Sequence, residues 1–201
     1  MVRPELGLDP AQVVKGALAE LLGIPIDHYV LVDMQGFIDV INALGGVTVD
    51  LSTRVELIPN LDRKTEVAPY VGPGPVTMDG AMALSFVRTR EQDSDYGRMG
   101  RQRCLLAAAA RSTSPTDLAL NYVALASAIQ NSFRSDIPRE RLGELVNLFA
   151  KVNVDRARTL VLVPPVIQPG RPDIAKIRGL VATMLDATAR AQDPSVSAPT
   201  C

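Results

Sequence analysis

Aspartates that start helices and glycines that end them cut the first fifty residues into alternating segments, and that alternation limits the fold more than any other feature of the chain. Asp9-Pro10 supplies an N-cap oxygen followed by a proline at the first helical position, and Val13, Val14, Ala17, Leu18 and Leu21 then recur on one face. Gly23 closes that helix. Residues 26–33 read as a strand, and 35–44 as a second helix with Phe37, Ile38 and Ile41 inward. Gly45-Gly46 ends it and leads into the strand 47–51. Helix and strand in alternation predict an α/β domain with layers of helices around a sheet.

Beyond that point the pattern is less regular. Residues 52–77 lose periodicity and gather prolines and glycines, which predicts a long surface excursion of the kind that often serves function. Asp79 caps a short helix, 80–86, that delivers Val87-Arg88-Thr89-Arg90, and after a polar turn a helix covers 97–112. Helices at 117–130 and 138–151, a strand at 158–163, a proline-rich turn and a helix at 173–191 complete one domain, 1–192, with 193–201 as a frayed, disordered tail.

Composition excludes several classes. A chain of 201 residues with 47% hydrophobic and 21% charged residues has the makings of an ordinary core. The net charge of -1 argues against binding nucleic acid through a general basic surface. No run of about 18 apolar residues predicts a membrane span, and the N-terminus lacks the apolar stretch of a signal peptide. The two cysteines, Cys104 and Cys201, form neither a zinc motif nor a disulfide framework and read as free thiols, although a bridge between them fits an oxidising compartment.

The chemistry is concentrated between residues 88 and 103, where Arg88, Arg90, Arg98, Arg101 and Arg103 are interleaved with Asp93, Asp95 and Gln102. Crowding five guanidinium groups is costly without an anion to share, and each offers a planar fork of donors matched to phosphate oxygens. Arg98, Arg101 and Gln102 share one helix face near an N-terminus, which itself attracts anions. Arg103 points elsewhere. The bland alternative is a solvated helix start in which Arg98 pairs with Asp95, and Arg88 with Glu91 or Asp93. His28, the single histidine, reads as a structural residue, since no serine or cysteine forms a nucleophile motif with it. Asp33, Asp39 and Asp50 read as caps or turn residues rather than metal ligands, while Asp93 has the reach for one.

Leu22-Gly-Ile-Pro-Ile-Asp-His-Tyr-Val, Gly36-Phe37, Leu44-Gly-Gly-Val47, Met78-Asp-Gly80, Leu84-Ser-Phe-Val-Arg-Thr-Arg90 and Asp95-Tyr-Gly-Arg98-Met-Gly-Arg101-Gln102 together resemble the LytR-CpsA-Psr family, over roughly residues 6–163. The segment from Arg98 to Cys104 looks most like actinobacterial members. The resemblance implies a three-layer-like α/β fold, with a central mixed sheet flanked by helices. It also implies a phosphotransferase on the extracytoplasmic face of the cell membrane. Such enzymes move a glycopolymer, such as arabinogalactan or a teichoic-acid-like polymer, from a polyprenyl pyrophosphate carrier to peptidoglycan during cell wall assembly. By position it assigns catalytic roles to Arg88, Arg90, Asp95 and Arg98, and pyrophosphate binding to Arg88, Arg90, Arg98, Arg101 and Gln102.

Mg²⁺ is the implied cofactor, and the partners are the polyprenyl-linked glycan and the peptidoglycan acceptor. For the prenyl tail, Val30, Val32, Phe37 and Ile41 are available, each also an ordinary core residue. Set against the family pattern, the resemblance implies that the chain is N-terminally truncated, with the membrane anchor and the segment carrying the metal aspartates expected ahead of it and lost through a misplaced start, a shortened gene or a deliberate fragment. That leaves a second expectation, a non-catalytic module that binds polyprenyl phosphate. A third is a transcriptional attenuator that binds DNA through helices 117–130 and 138–151, against which stand a long turn and the mixed charge of Pro138-Arg-Glu-Arg141.

Overall fold

The structure, a computed structural model, describes residues 9–58, 69–112, 133–149, 159–168, 170–186 and 196–197. The chain divides into two compact units, residues 1–31 with 135–198 and residues 32–134 with 199–201.

Helix α1 (Pro10–Leu22) starts where Asp9 accepts the Ala11 amide and stops at Gly23, whose φ of 72° is the left-handed conformation that glycine adopts without strain. The expected strand 26–33 shortens to β1 (Val30–Val32). Helix α2 (Met34–Ala43) is capped by Asp33, and only Gly36 and Ile41 along it are buried, with Phe37 packed against the core and Ile38 half-buried.

Strand β2 (Val47–Leu51) alternates buried and exposed residues with the period of 2 that a half-buried strand requires. Next come β3 (Val55–Glu56), β4 (Tyr70–Val71) and β5 (Gly74–Met78). The excursion expected at 52–77 is therefore partly strand, with 59–68 outside the described residues. β5 pairs antiparallel with β2, setting Val47 opposite Met78 and Asp50 opposite Pro75, while β3 pairs with β4. Prolines at 73 and 75 hid β5, yet a two-stranded ladder tolerates a missing amide donor.

Helix α3 (Gly80–Arg88) and helix α4 (Asp95–Ser112) pack with β2 and β5 into the core of this unit. Phe86, Met78, Ala83 and Val47 are fully buried there. For a phenylalanine such as Phe86 that burial contributes about 1.5–3 kcal/mol. Cys104, expected as a free thiol, is buried and disulfide-bonded, and Cys201 lies outside the described residues.

The chain returns through β6 (Phe133–Ser135), a 3-10 turn (Arg139–Arg141), α5 (Leu142–Phe149), β7 (Thr159–Leu160), α6 (Ile174–Leu185) and β8 (Val196–Ser197). β8, within the expected tail, pairs antiparallel with β7. The helix expected at 117–130 lies outside the described residues, and the one expected at 138–151 opens as 3-10 and becomes α5. α1 packs on α6, where Arg178 donates to the Glu20 carbonyl. Val13, Val14 and Leu18 nevertheless remain 41%, 57% and 42% exposed, because the apolar stripe of α1 is wider than the surface α6 covers.

The α/β class is as expected. Among the described residues the strands pair two by two, β2 with β5, β3 with β4 and β7 with β8 as antiparallel ladders.

Candidate functional site

The arginine segment is placed by two helix ends. Asp79 accepts the Met82 amide at 2.8 Å and starts α3, and Asn42 accepts the Gly80 amide at 2.8 Å. A Cβ on Gly80 would stand 2.2 Å from the Ile38 carbonyl oxygen, so glycine is what lets α3 lie against α2. The helix then runs two residues further than the sequence suggested and ends on Arg88, a cation at the negative end of the helix dipole. Thr89 breaks it with ψ of 144° while its amide still donates to Ser85. Helix α4 begins two residues earlier than expected, so Asp95 sits in its first turn, where a carboxylate is favoured. Ser94 accepts the Tyr96 and Arg98 amides there, by its hydroxyl and its carbonyl respectively.

The predicted residues then fall into two groups. Asp95 bridges two arginines, with Arg90 Nη2 at 3.1 Å from one carboxylate oxygen and Arg98 Nη2 at 3.1 Å from the other. Arg98 is one-third exposed, yet its Nε is buried and donates to nothing. Arg88 is half-buried and makes no hydrogen bond or ion pair among the described residues, while Gln102 donates weakly to the Val87 carbonyl at 3.3 Å. Arg90 and Arg98 thus share a single carboxylate and Arg88 pairs with none among the described residues, which leaves cation in excess and guanidinium donors unspent.

Arg101 behaves differently. Its Nε donates to the Phe86 carbonyl at 2.9 Å, its Nη2 to the Thr89 carbonyl, and Nη1 and Nη2 together grip both oxygens of Asp93. Only 11% of its side chain is exposed. Of the pairs expected for a salt-bridged helix start, Arg98 with Asp95 is present, whereas Asp93 takes Arg101 instead of Arg88.

Sequence reasoning overlooked Arg54, which stacks over the Tyr70 ring at 3.7 Å from its centroid, because no motif surrounds it. It lines a cleft of about 610 Å³ with Ser52, Gln92, Gly97 and Arg103. Arg101 and Asp93 stand in the wall of that cleft, whereas Arg88, Arg90, Arg98 and Gln102 do not. That cleft is therefore not where the unspent donors are, and the donors rather than the cleft define the candidate site. Of the residues offered for a prenyl tail, Val30 and Val32 are exposed, Phe37 is half-buried and Ile41 is buried.

A fit for Mg²⁺ fails among the described residues. They hold no cluster of three or more histidine, cysteine or acidic side chains able to ligate a metal, and Asp93 and Asp95 both face guanidinium groups. Nor does any described helix have the length and apolarity to cross a membrane.

His28 belongs to a separate arrangement in the other unit. Asp136 accepts from Lys15 at 2.6 Å, from the Tyr29 amide at 2.8 Å and from Gln12 at 3.0 Å. The Lys15 hydrogen bond above all, then the Tyr29 amide, hold the Asp136 carboxyl well below the usual carboxylate range, against an opposing burial effect. Arg141 has no acceptor to offer, so His28 Nε2 accepts from it at 3.2 Å, while the buried Nδ1 lies 3.5 Å from Asp136 and makes no hydrogen bond among the described residues. This is a structural hub, and Asp136 carried no motif that marked it in sequence.

Comparison with known proteins bears on these arginines. The teichoic acid transferase TagU of Enterococcus faecalis, named for polyisoprenyl-teichoic acid and peptidoglycan, is 27% identical over 152 residues, 73% of this chain and 47% of that protein. TagV of Bacillus subtilis, named for the same transfer, is 40% identical over 87 residues, 42% of this chain and 22% of that protein. The chain spans about half the length, or less, of the curated relatives it matches. The crystal structure of Bacillus subtilis TagV superposes with a TM-score of 0.62 at 25% identity, covering 83% of this chain and 66% of that one. A structure of TagT bound to LI-WTA shares the fold, with a TM-score of 0.56 at 22% identity over 86% of this chain and 64% of that one. The profile of the LytR_cpsA_psr family matches residues 8–163, a span that takes in every arginine of the site, and the chain is a member of that family.

Proposed function

We propose that the Arg88, Arg90, Arg98 and Gln102 group binds the pyrophosphate of a polyprenyl-linked glycopolymer, and that the chain carries this part of a phosphotransferase that hands the polymer to peptidoglycan. The observation that carries the reading is the excess of cation, with Arg88 unpaired among the described residues and a buried Arg98 Nε that finds no acceptor among them. An orphaned buried donor costs about 1–3 kcal/mol, and a phosphate oxygen removes that cost. In the transfer, an acceptor hydroxyl oxygen forms a bond to the sugar-bearing phosphorus and the bridging bond of the pyrophosphate breaks. Polyprenyl phosphate leaves and the hydroxyl proton passes to solvent. Arginines contribute by neutralising the charge that gathers on the phosphoryl oxygens and on that leaving group.

The names of the relatives support this substrate class, and membership of the family supports the reaction. A disulfide at Cys104 suits an oxidising, extracytoplasmic setting. The glycan, whether teichoic-acid-like or arabinogalactan, is set by residues that meet the sugars. Mg²⁺ belongs to the proposal as a cofactor of the whole enzyme, and no step here is routed through it.

The test is calorimetric binding of geranyl pyrophosphate to the chain with and without Mg²⁺, followed by assay of prenyl phosphate release in the presence of a lipid-linked glycan and peptidoglycan. The reading predicts binding that Arg88→Ala and Arg98→Ala each weaken at least tenfold without unfolding the protein. Binding without release identifies the non-catalytic module instead. Affinity unchanged in both variants removes the site assignment.

A further inference from the structure

Arg101 lies within the arginine segment but spends its donors on the protein. Four contacts from one guanidinium reach the last turn of α3 at Phe86, the residue that breaks that helix at Thr89, and both oxygens of Asp93 in the turn before α4. Those acceptors bracket Arg88 and Arg90 in sequence, and Arg101 itself stands three residues after Arg98 on α4. One side chain therefore fixes the α3 end and the 89–93 turn against the helix that carries Arg98 and Gln102. A second observation shows that the pairing is built into the backbone. A Cβ on Gly97 would stand 2.1 Å from Asp93 Oδ2, so only glycine in the first turn of α4 leaves room for Asp93 to reach Arg101.

We propose that Arg101 is a positioning residue that holds Arg88, Arg90 and Arg98 in register for the anion, and does not itself contact the phosphate. This rests on the pyrophosphate-binding reading above, and it sets Arg101 apart from the other arginines of the segment. The physical reason is the fork. A planar guanidinium spans several acceptors in fixed directions, whereas an ammonium is a point charge whose donors radiate from one nitrogen. Clamping the frame leaves the neighbouring arginines pre-organised, so less order is lost when the anion binds.

The experiment measures geranyl pyrophosphate affinity for the full chain and for Arg101→Ala, Arg101→Lys, Asp93→Asn, Arg98→Ala, the double variant Arg98→Ala with Arg101→Ala, and Arg88→Ala. Circular dichroism checks that each is folded. A positioning role predicts that Arg101→Ala weakens binding at least tenfold and that Arg101→Lys falls equally far despite keeping the charge. It also predicts that the double variant loses less than the two single variants added together, because part of what Arg101 does runs through Arg98. Should Arg101→Ala fail to fold, Asp93→Asn keeps the test alive, with an expected loss of a few-fold.

Near-normal affinity in Arg101→Lys beside a large loss in Arg101→Ala makes Arg101 a ligand and overturns the proposal. So do additive losses in the double variant. If Arg88→Ala abolishes binding while Arg101→Ala, Arg101→Lys and Asp93→Asn leave it intact, the positioning role alone is overturned. If Arg88→Ala also binds normally, the phosphate site and the role that depends on it are both overturned.

Discussion

Two charged clusters in this protein are built to opposite rules. Around Asp136 a single carboxylate collects Lys15, Gln12 and the Tyr29 amide, and every oxygen it offers is used. Around Asp95 the balance is reversed, with Arg90 and Arg98 drawing on one exposed carboxylate and Arg88 drawing on none. A cluster that is satisfied internally contributes order to its own unit and has nothing left for a ligand. A cluster with donors to spare is held in a state that an anion completes. Charge density alone does not separate the two; the number of guanidinium donors set against each carboxylate does.

The largest expected effect breaks the unsatisfied cluster. Arg88→Ala or Arg98→Ala removes charge-assisted hydrogen bonds worth about 1.5–3 kcal/mol each, and so weakens pyrophosphate binding by roughly 10-fold to 100-fold. The melting temperature should move by no more than a degree or two, because neither guanidinium is fastened to the core. Calorimetry and thermal unfolding on the same samples check both halves. The satisfied cluster should answer the other way: Asp136→Ala lowers the melting temperature by several degrees, since it removes the carboxylate that Lys15 and the Tyr29 amide share, and leaves pyrophosphate affinity unchanged.

A pH series sharpens the contrast. The folded-state Asp136 carboxyl titrates below its unfolded value of about 3.9, so its contribution to stability is complete above that value and is lost as the pH falls through it toward the folded value. The melting temperature gap between wild type and Asp136→Asn should therefore be widest near pH 6 and narrow below about pH 4. A gap that is constant across that range means the effect is one of shape rather than charge. The smallest effect belongs to Arg90→Ala, expected to cost only a few-fold in affinity, because Arg90 is 58% exposed and its pairing with Asp95 is screened by water.

The two clusters also differ in how far sequence revealed them. Local rules placed the arginine cluster: Asp79 at a helix start and the spacing of Arg98 and Gln102 put the helix ends within two residues of where they stand. The caps at Asp9 and Asp33 and the alternating strand at Val47 to Leu51 were legible for the same reason, since each depends on neighbours in the chain. Tertiary distance hid the rest. Lys15, Tyr29 and Asp136 meet across more than a hundred residues, and no spacing announces them. Arg101 looked like a fourth arginine on the phosphate because its helix face suits one, and only the positions of Phe86, Thr89 and Asp93 show where its donors go. β5 was hidden by its prolines, and the exposed face of α1 by a periodicity that says which residues align but not what covers them.

The central claim is that unspent guanidinium donors, rather than charge as such, make the site. Its most direct test is a titration of wild type, Arg98→Ala and Asp136→Asn with geranyl pyrophosphate in one buffer above pH 6. The account predicts that Arg98→Ala loses binding while remaining as stable as wild type, and that Asp136→Asn binds normally while melting earlier. Equal binding by all three proteins, or equal loss in both variants, contradicts it.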